Sequence, residues 1–344
     1  MSTSQAPRLE EDAILQQLST PDDGVVETLS KLRGDLLMLG AGGKIGLGLT
    51  LMARRALTQA GKKNRVIAVS RFRDAAARAE FERHGVTVIS ADLSDIEAVQ
   101  KLPDASDVIY LAGQKFGTAD GPATTWLLNS FVPGIVARRW KDSRIALYSS
   151  GNVYPFFPVT SEGPNESIAP GPIGEYAMSV LGRERVFEYF SRTNGTKMTT
   201  IRLNYANEPR YGVLVDLATR ILAGETIDLA QGYVNIVSQW DCNLVTLKCL
   251  DVADSPPRLL NLAGPKIPVG ELIERLGKAM GVPTKTTGSP AANALLSDST
   301  YCWKTFGAQK LTPEDMIQSV AAWMKSGGRT MGKPTHFEAR DGKF

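Results

Sequence analysis

The stretch LMLGAGGKIGLG, residues 37–48, decides the fold expected of this chain. Its glycines at positions 40, 43 and 46 stand between the apolar run 36–39 and the helix-like segment LGLTLMARRALTQAG. Glycine permits a tight turn and lets the backbone approach a pyrophosphate, and the free amides at the start of a helix favour an anion. A glycine triplet alone also suits a flexible turn. Its place between a strand and a helix predicts a dinucleotide-binding loop.

Strand-like and helix-like segments alternate along the following residues. The strand-like segments, such as RVIAVS, DVIYLAG and RIALYSS, are continuous apolar runs, as expected where helices cover both faces of a parallel sheet. We therefore predict an α/β fold with a doubly wound parallel sheet (Rossmann) and a smaller C-terminal α/β substrate domain. The predicted parts are an N-terminal helical lead (1–33), a dinucleotide-binding domain (34–205, with a return segment at about 234–263), a substrate domain (206–233 and 264–327) and a polar tail (328–344) that lies over the surface or a partner subunit.

The composition disfavours several classes of function. The 344 residues are 43% hydrophobic and carry a net charge of only +3, with scattered basic residues, so we expect no nucleic-acid partner. No long apolar stretch and no signal-peptide pattern is evident, which predicts a cytoplasmic protein without a membrane partner. Cys242, Cys249 and Cys302 form no CxxC pair and are expected to be reduced, buried thiols. With only His84 and His336 as histidines, neither a Ser-His-Asp hydrolase nor a metal site is expected.

The end of the second predicted strand indicates which cofactor is bound. NAD-binding proteins commonly place a carboxylate there for the ribose hydroxyls, but this strand ends in Ser70, Arg71 and Arg73. Arginine binds a 2′-phosphate through paired, charge-assisted hydrogen bonds. We therefore expect NADP, with NAD as the second choice. The alternative is that Arg71 is only a solvated charge, and Asp74 is expected to cap the next helix.

Five further motifs occur in the order ADLSD, VIYLAGQKFG, WLLNSFVPG, YSSGNVYP and GEYAMSVLGRERV. With the glycine loop, they make residues 34–325 resemble an extended short-chain dehydrogenase/reductase of the NAD-dependent epimerase/dehydratase type. The resemblance implies catalysis by Ser150 and Tyr176, and a homodimer joined through helices of the dinucleotide-binding domain. The predicted cofactor-binding residues are Gly40, Gly43, Lys44, Ile45, Gly46, Ser70, Arg71, Arg73, Asp92, Leu93, Leu111, Ala112, Gly113, Lys115, Asn129, Tyr176 and Asn204.

One departure from the family pattern concerns the catalytic tyrosine. The family has Tyr-x-x-x-Lys, and this lysine holds the nicotinamide ribose and lowers the pKa of the tyrosine. Here Val180 takes its place, so Tyr176 is expected to be a poor base near neutral pH but still a proton donor. We expect Lys115 to supply the missing charge as a third catalytic residue. Arg183, on nearly the same helix face, is the alternative.

The second departure concerns the substrate. Nucleotide-sugar enzymes of the family often carry Arg-Asp-Phe/Tyr, where this chain has Asn235-Ile236-Val237. The arginine binds the substrate diphosphate, so its absence favours an uncharged or singly acidic sugar, or another polyol-like hydroxy or keto compound. The predicted substrate-binding residues are Asn152, Tyr154 and Arg210.

These observations favour an NADP(H)-dependent oxidoreductase that acts on a hydroxyl or ketone of a carbohydrate-like small molecule. Two alternatives remain: a sugar epimerase that holds NAD(P) tightly, and a non-catalytic protein that binds or senses NADP. Val180 supports the latter, whereas the retention of both Ser150 and Tyr176 argues against it.

Overall fold

The computed structural model describes residues 5–115, 117–118 and 120–343, with side chains from residue 11 onward. The helices are α1 (Gln5–Leu18), α2 (Asp23–Ser30), α3 (Gly46–Gln59), α4 (Ala75–Arg83), α5 (Ile96–Gln100), α6 (Pro122–Trp126), α7 (Val132–Arg139), α8 (Gly174–Asn194), α9 (Val213–Leu222), α10 (Gln239–Lys248), α11 (Val269–Met280), α12 (Thr300–Phe306) and α13 (Pro313–Lys325). The strands are β1 (Leu36–Leu39), β2 (Val66–Ser70), β3 (Thr87–Ser90), β4 (Asp107–Tyr110), β5 (Arg144–Ser150), β6 (Phe157–Pro158), β7 (Met198–Leu203), β8 (Ala206–Asn207), β9 (Thr226–Asp228), β10 (Tyr233–Asn235), β11 (Val237–Ser238), β12 (Arg258–Leu262), β13 (Lys266–Pro268), β14 (Lys285–Thr287) and β15 (Asn293–Ala294).

Seven of these strands form a parallel sheet in the order β12–β7–β5–β4–β1–β2–β3. All four residues of β1 and of β4 are buried, because helices cover both faces of the sheet. The predicted doubly wound parallel sheet is confirmed. The strand order reverses between β1 and β4, so a crevice for a ligand is expected at their carboxyl ends.

A second core lies outside the sheet. It consists of apolar side chains of α9, α11 and α13 with those of β9, β10 and β13, and it also includes Phe337 from the chain end. The chain returns to the sheet at β12, which pairs with β7. The boundaries predicted for the two domains remain a prediction.

The residue pattern of ATTWLLNSFVPGIVARRW predicts one long helix, but the structure interrupts this helix. A π-helical turn over Leu127–Phe131 separates α6 from α7. Pro133 stands at the start of α7, and a proline lacks the N–H that would bond the carbonyl of Asn129 in a regular helix. Asn129, a predicted cofactor-binding residue, therefore lies within the π-helical turn.

The polar tail does more than lie over the surface. Thr335 is only 3% exposed and Phe337 only 5% exposed, because Thr335 is hydrogen-bonded to Asp216 on α9 and Phe337 packs in the second core. In the part of the chain that the structure describes, no helix has the length and apolarity needed to span a bilayer.

Candidate active site

The glycine loop joins β1 to α3 at the carboxyl edge of the sheet. Gly40 has φ +87°, and a Cβ there would lie 2.5 Å from the amide nitrogen of Ala112. A Cβ on Gly46 would lie 1.9 Å from the carbonyl oxygen of Ala41, so both positions require glycine for packing. Gly43 differs, because the nearest atom to its Cβ position is 3.5 Å away. Its open side and the first amides of α3 fit a pyrophosphate.

The end of β2 places cations beside this loop. Arg71 and Arg73 are exposed, and the carbonyl of Arg71 accepts a hydrogen bond from Ser90 Oγ at 2.8 Å. Hydrogen bonds from Ser94, together with the nearby positive charges of Arg71 and Arg73, lower the pKa of Asp92. A Cβ added to Gly42 would lie only 2.6 Å from Ser70 Oγ, so the loop passes close to the end of β2.

Asn129 holds the segment that follows β4. Its Oδ1 accepts a hydrogen bond from the Gln114 amide at 2.8 Å, and its Nδ2 donates to the Gln114 carbonyl at 2.9 Å. Nδ2 also donates to Ser179 Oγ on α8 at 3.0 Å. Asn129 therefore positions the segment containing Leu111, Ala112, Gly113 and Lys115.

Ser150 and Tyr176 are brought together by β5 and α8. Ser150 is the last residue of β5, Tyr176 lies in the first turn of α8, and a hydrogen bond joins their side chains. Burial raises the pKa of Tyr176, while the charge of Arg183 and the bond to Ser150 oppose the increase. Ser150 Oγ also donates to Asn152 Oδ1 at 2.9 Å. The tyrosine is thus a protonated phenol near neutral pH.

Val180 fills the position of the missing lysine with apolar contacts to Val153 and Tyr154. Lys115 Nζ donates to the carbonyl of Thr335 at 3.1 Å, and burial lowers the pKa of Lys115 to about 8.

Arg183 is buried and donates to the carbonyl of Tyr148 at 2.8 Å. The positive charge of Arg183 opposes the increase in the pKa of Tyr176, and the choice between Lys115 and Arg183 remains a prediction.

The three predicted substrate ligands have different surroundings. Asn152 lines a cleft together with Lys115. Tyr154 lines the same cleft, but its hydroxyl is engaged in the interior: it donates to Asn261 Oδ1 at 2.9 Å and accepts from Arg202 Nη1 at 2.7 Å.

Arg210 Nε lies 3.0 Å from Glu208 Oε2 and does not line this cleft. Its side chain is therefore paired with a buried carboxylate, and its role in substrate binding remains a prediction.

Two further predicted residues show features that suit a ligand. Asn204 Nδ2 is buried and has no hydrogen-bond partner in the described part of the chain, although Oδ1 accepts from Ser297 Oγ at 3.2 Å. Lys44 Nζ lies 3.6 Å from the centroid of the Tyr211 ring. Burial and the charges of Lys115 and Lys333 lower the pKa of Lys44 to about 7. A buried unpaired donor and converging lysines fit a cofactor that brings acceptors and negative charge.

Sequence reasoning did not anticipate the support behind Ser150. Arg202 on β7 and Glu184 on α8 form a buried ion pair of 2.7 Å, and Ser149 Oγ donates to Glu184. An arginine within the apolar strand MTTIRLNY was the available signal, since a fully buried charge requires a partner. The hydrogen bonds orient β5 against α8 and thereby Ser150 against Tyr176.

The sequence profile of the NAD-dependent epimerase/dehydratase family matches residues 36–232, more than half of the chain. The chain belongs to this family. The class of enzyme expected from the sequence, an NAD(P)-dependent oxidoreductase or epimerase, agrees with this membership. No curated protein matches the chain in sequence.

Solved structures of family epimerases share the fold. The UDP-glucose 4-epimerase of Thermotoga maritima with UDP-glucose is 18% identical, with a TM-score of 0.71 over 85% of this chain and 99% of that one. The UDP-glucuronic acid 4-epimerase of Bacillus cereus with NAD is 16% identical, with a TM-score of 0.69 over 85% and 99%. The Thermus thermophilus UDP-glucose 4-epimerase with NAD is 17% identical, with a TM-score of 0.68 over 84% and 98%.

Proposed function

We propose that this family member is an NADP(H)-dependent oxidoreductase that acts on a hydroxyl or ketone of a sugar-like small molecule. One observation carries the proposal: the hydrogen-bonded Ser150–Tyr176 pair lies at the sheet edge that also holds the glycine loop. A protein that only binds a dinucleotide has no need for this pair.

The two hydroxyl groups have separate roles. A bound nicotinamide supplies or accepts the hydride. During reduction, Tyr176 donates its phenolic proton to the substrate oxygen, which its raised pKa permits near neutral pH. Ser150 donates a hydrogen bond to the same oxygen and stabilises the charge that develops there. In oxidation, Tyr176 takes up the substrate's hydroxyl proton, which requires its phenolate and therefore favours alkaline pH.

We assign the electrostatic role of the missing lysine to Arg183. Its guanidinium is buried, is fixed by the Tyr148 carbonyl and Asn129 Oδ1, and opposes the increase in the pKa of Tyr176. Lys115, our first candidate from the sequence, is directed towards Thr335. We therefore propose that Lys115 binds the cofactor or the substrate at the mouth of the cleft.

The preference for NADP rests on Arg71 and Arg73, and direct binding measurements test it. We expect calorimetry to give tighter binding of NADP⁺ than of NAD⁺. The substitution Arg71→Ala should weaken NADP⁺ binding about tenfold and leave NAD⁺ binding nearly unchanged. Arg78→Ala, which removes an exposed arginine paired with Glu82 on α4, is the control. Equal weakening of both nucleotides would show that Arg71 does not select the 2′-phosphate.

The proposed substrate is a sugar without a nucleotide diphosphate. Asn235 is buried and engaged, donating to the Gly264 carbonyl at 3.0 Å and accepting from the Ser297 amide at 3.0 Å. It therefore offers no cation for a diphosphate, and Arg210 is paired with Glu208. A panel of free sugars, sugar acids and polyols with excess NADP⁺ should produce NADPH absorbance with at least one compound, and Tyr176→Phe should abolish it.

The second candidate is an epimerase, which the likeness to UDP-sugar 4-epimerases favours. An epimerase reoxidises its cofactor within each turnover. Cofactor retained through purification, with altered sugar stereochemistry and no net NADPH formation, would support it over the oxidoreductase.

A further inference from the structure

The chain end, residues 328–343, forms a strap across the cleft that contains Asn152 and Lys115. The cleft is lined from the strap side by His336, Phe337, Ala339 and Gly342. The strap is therefore part of the candidate site.

Thr335 makes the first attachment. Its carbonyl accepts from Lys115 Nζ at 3.1 Å, while its amide and hydroxyl donate to Asp216 Oδ2 at 2.7 and 2.6 Å. Next to it, Phe337 inserts into the second core. This attachment joins a cation at the cleft to the first turn of α9.

Arg340 makes the second attachment, on the substrate side. Its Nη1 donates to Gln231 Oε1 at 2.8 Å and to the Asn293 carbonyl at 3.0 Å, and its guanidinium lies 4.4 Å from the ring centroid of Phe156. One side chain thus bridges three separate segments around the cleft.

Gly342 makes the third attachment, directly beside the catalytic helix. A Cβ on Gly342 would lie 2.4 Å from the carbonyl oxygen of Ile173 and 2.9 Å from Gly174 Cα. Gly174 begins α8 and precedes Tyr176 by two residues. The end of the strap therefore packs against the backbone that positions the proton donor.

With the strap in place, the cleft has no space for a sugar. The remaining cavity is about 20 Å³, which is room for about one water molecule. Much of the strap is nonetheless exposed, and His336 has φ +53°, a conformation unfavourable for a residue with a side chain. Polar contacts and a single inserted phenylalanine hold the strap over this small cavity.

We infer that the strap is an autoinhibitory cover, which blocks the substrate cleft and is displaced from its Arg340 and Gly342 attachments when substrate enters. The inference rests on the proposed function only in naming the cleft as the substrate site. Opening of the strap is a property of the chain alone, so it can be measured without cofactor or substrate.

A thiol beneath the strap reports this opening. Leu295 lines the cavity and is 8% exposed, so the substitution Leu295→Cys places a thiol there. The three native cysteines are buried at 0% exposure and give a low background in reaction with an aromatic disulfide reagent.

Two substitutions in the Leu295→Cys chain release different attachments. Arg340→Ala removes the bridge, and Gly342→Ala creates the clash with residues 173–174. Each should increase the rate of thiol modification about tenfold or more, because a charge-assisted bond or a close backbone contact is lost.

Matched controls exist for both substitutions. Gly332 has φ +61° with open space around its Cβ position, so Gly332→Ala introduces the same backbone strain without a clash. Arg329 is an arginine at the start of the strap whose side chain is 84% exposed, and Arg329→Ala should have no effect.

Modification at equal rates in the released and control variants would overturn the inference. If both of these variants unfold, the urea dependence of thiol modification in the Leu295→Cys protein without a further substitution tests the inference. A modification rate that does not change in low concentrations of urea indicates local opening of the strap. If the thiol is modified only through global unfolding, the strap is a fixed part of the structure and the inference is wrong. Absence of NADP⁺ and NAD⁺ binding by calorimetry would defeat the proposed function while leaving the thiol result intact.

Discussion

Arg183 Nη2 donates a hydrogen bond to Asn129 Oδ1 at 2.8 Å, and the same nitrogen lies 2.2 Å from the Cβ position of Gly113. One guanidinium therefore ties α8 to the π-helical turn and to the segment after β4. Because Val180 and Arg183 are three residues apart, they share a helix face. The cation missing at Val180 is thus present one turn later, in a buried position.

Replacement of Arg183 should change the titration of Tyr176. Arg183→Met keeps a long apolar stem but removes the charge, so the pKa of Tyr176 should rise further from its already raised value. Ultraviolet difference spectra of tyrosinate formation, corrected with the corresponding Tyr176→Phe variants, measure the shift. Arg185→Met removes an exposed charge paired with Glu188 and should leave the titration unchanged. An unchanged pKa in Arg183→Met would refute the role assigned to this arginine.

Substitutions at two glycines of the loop should have different effects on thermal stability and on dinucleotide affinity. Gly43→Ala adds a methyl group at an ordinary van der Waals distance of 3.5 Å from its nearest neighbour, so we expect normal thermal stability and a loss of dinucleotide affinity of about tenfold or more. Gly40→Ala combines a positive φ with a clash against Ala112 and should lower the melting temperature. Calorimetric binding together with thermal unfolding tests both. Unaltered affinity in a folded Gly43→Ala protein would mean that no pyrophosphate lies there.

The stability of the ligand-free protein should depend on the ionisation of Lys44. Burial lowers its pKa from 10.5 to about 7, so between these values the unfolded chain binds more protons than the folded chain. The free energy of unfolding therefore increases with pH across this window. Lys44→Met should make the increase smaller, as measured by urea unfolding at several pH values. Lys63→Met, at an exposed lysine beyond α3, serves as the control, and identical slopes in all three proteins would contradict the expected ionisation.

An exposed apolar surface supports the proposed homodimer. Trp126, Leu127 and Phe131 on the α6–α7 segment, with Met178 on α8, are 39–54% exposed. Surfaces of this kind commonly mark interfaces. Phe131→Glu should convert a dimer to a monomer in light scattering. Leu222→Glu, at an exposed leucine on α9, should not, and a wild-type protein that is already monomeric would refute the dimer.

Much of the fold could be predicted because its signals are local. Continuous apolar strands, helices with caps such as Asp74, and glycines between β1 and α3 follow from residue type and spacing within a few positions. Ser150 and Tyr176 were each predicted from a motif, and the structure joins their side chains by a hydrogen bond, whereas their catalytic roles remain a prediction. The π-helical turn was missed, because Pro133 has its effect through the hydrogen bond it cannot make to Asn129.

The sequence by itself determined the parallel sheet and the glycine loop, since each is encoded by residues that lie close together in the chain. Only the tertiary structure showed which partners Arg183 and Lys115 have and where the polar tail lies. Arg183 and Lys115 were both candidates from the sequence, and the partners of Arg183 on β5 and in the π-helical turn are the reason that we propose Arg183. The strap meets residues more than a hundred positions away, such as Asp216 and Gly174, and contacts between such distant residues leave no periodic trace in the chain.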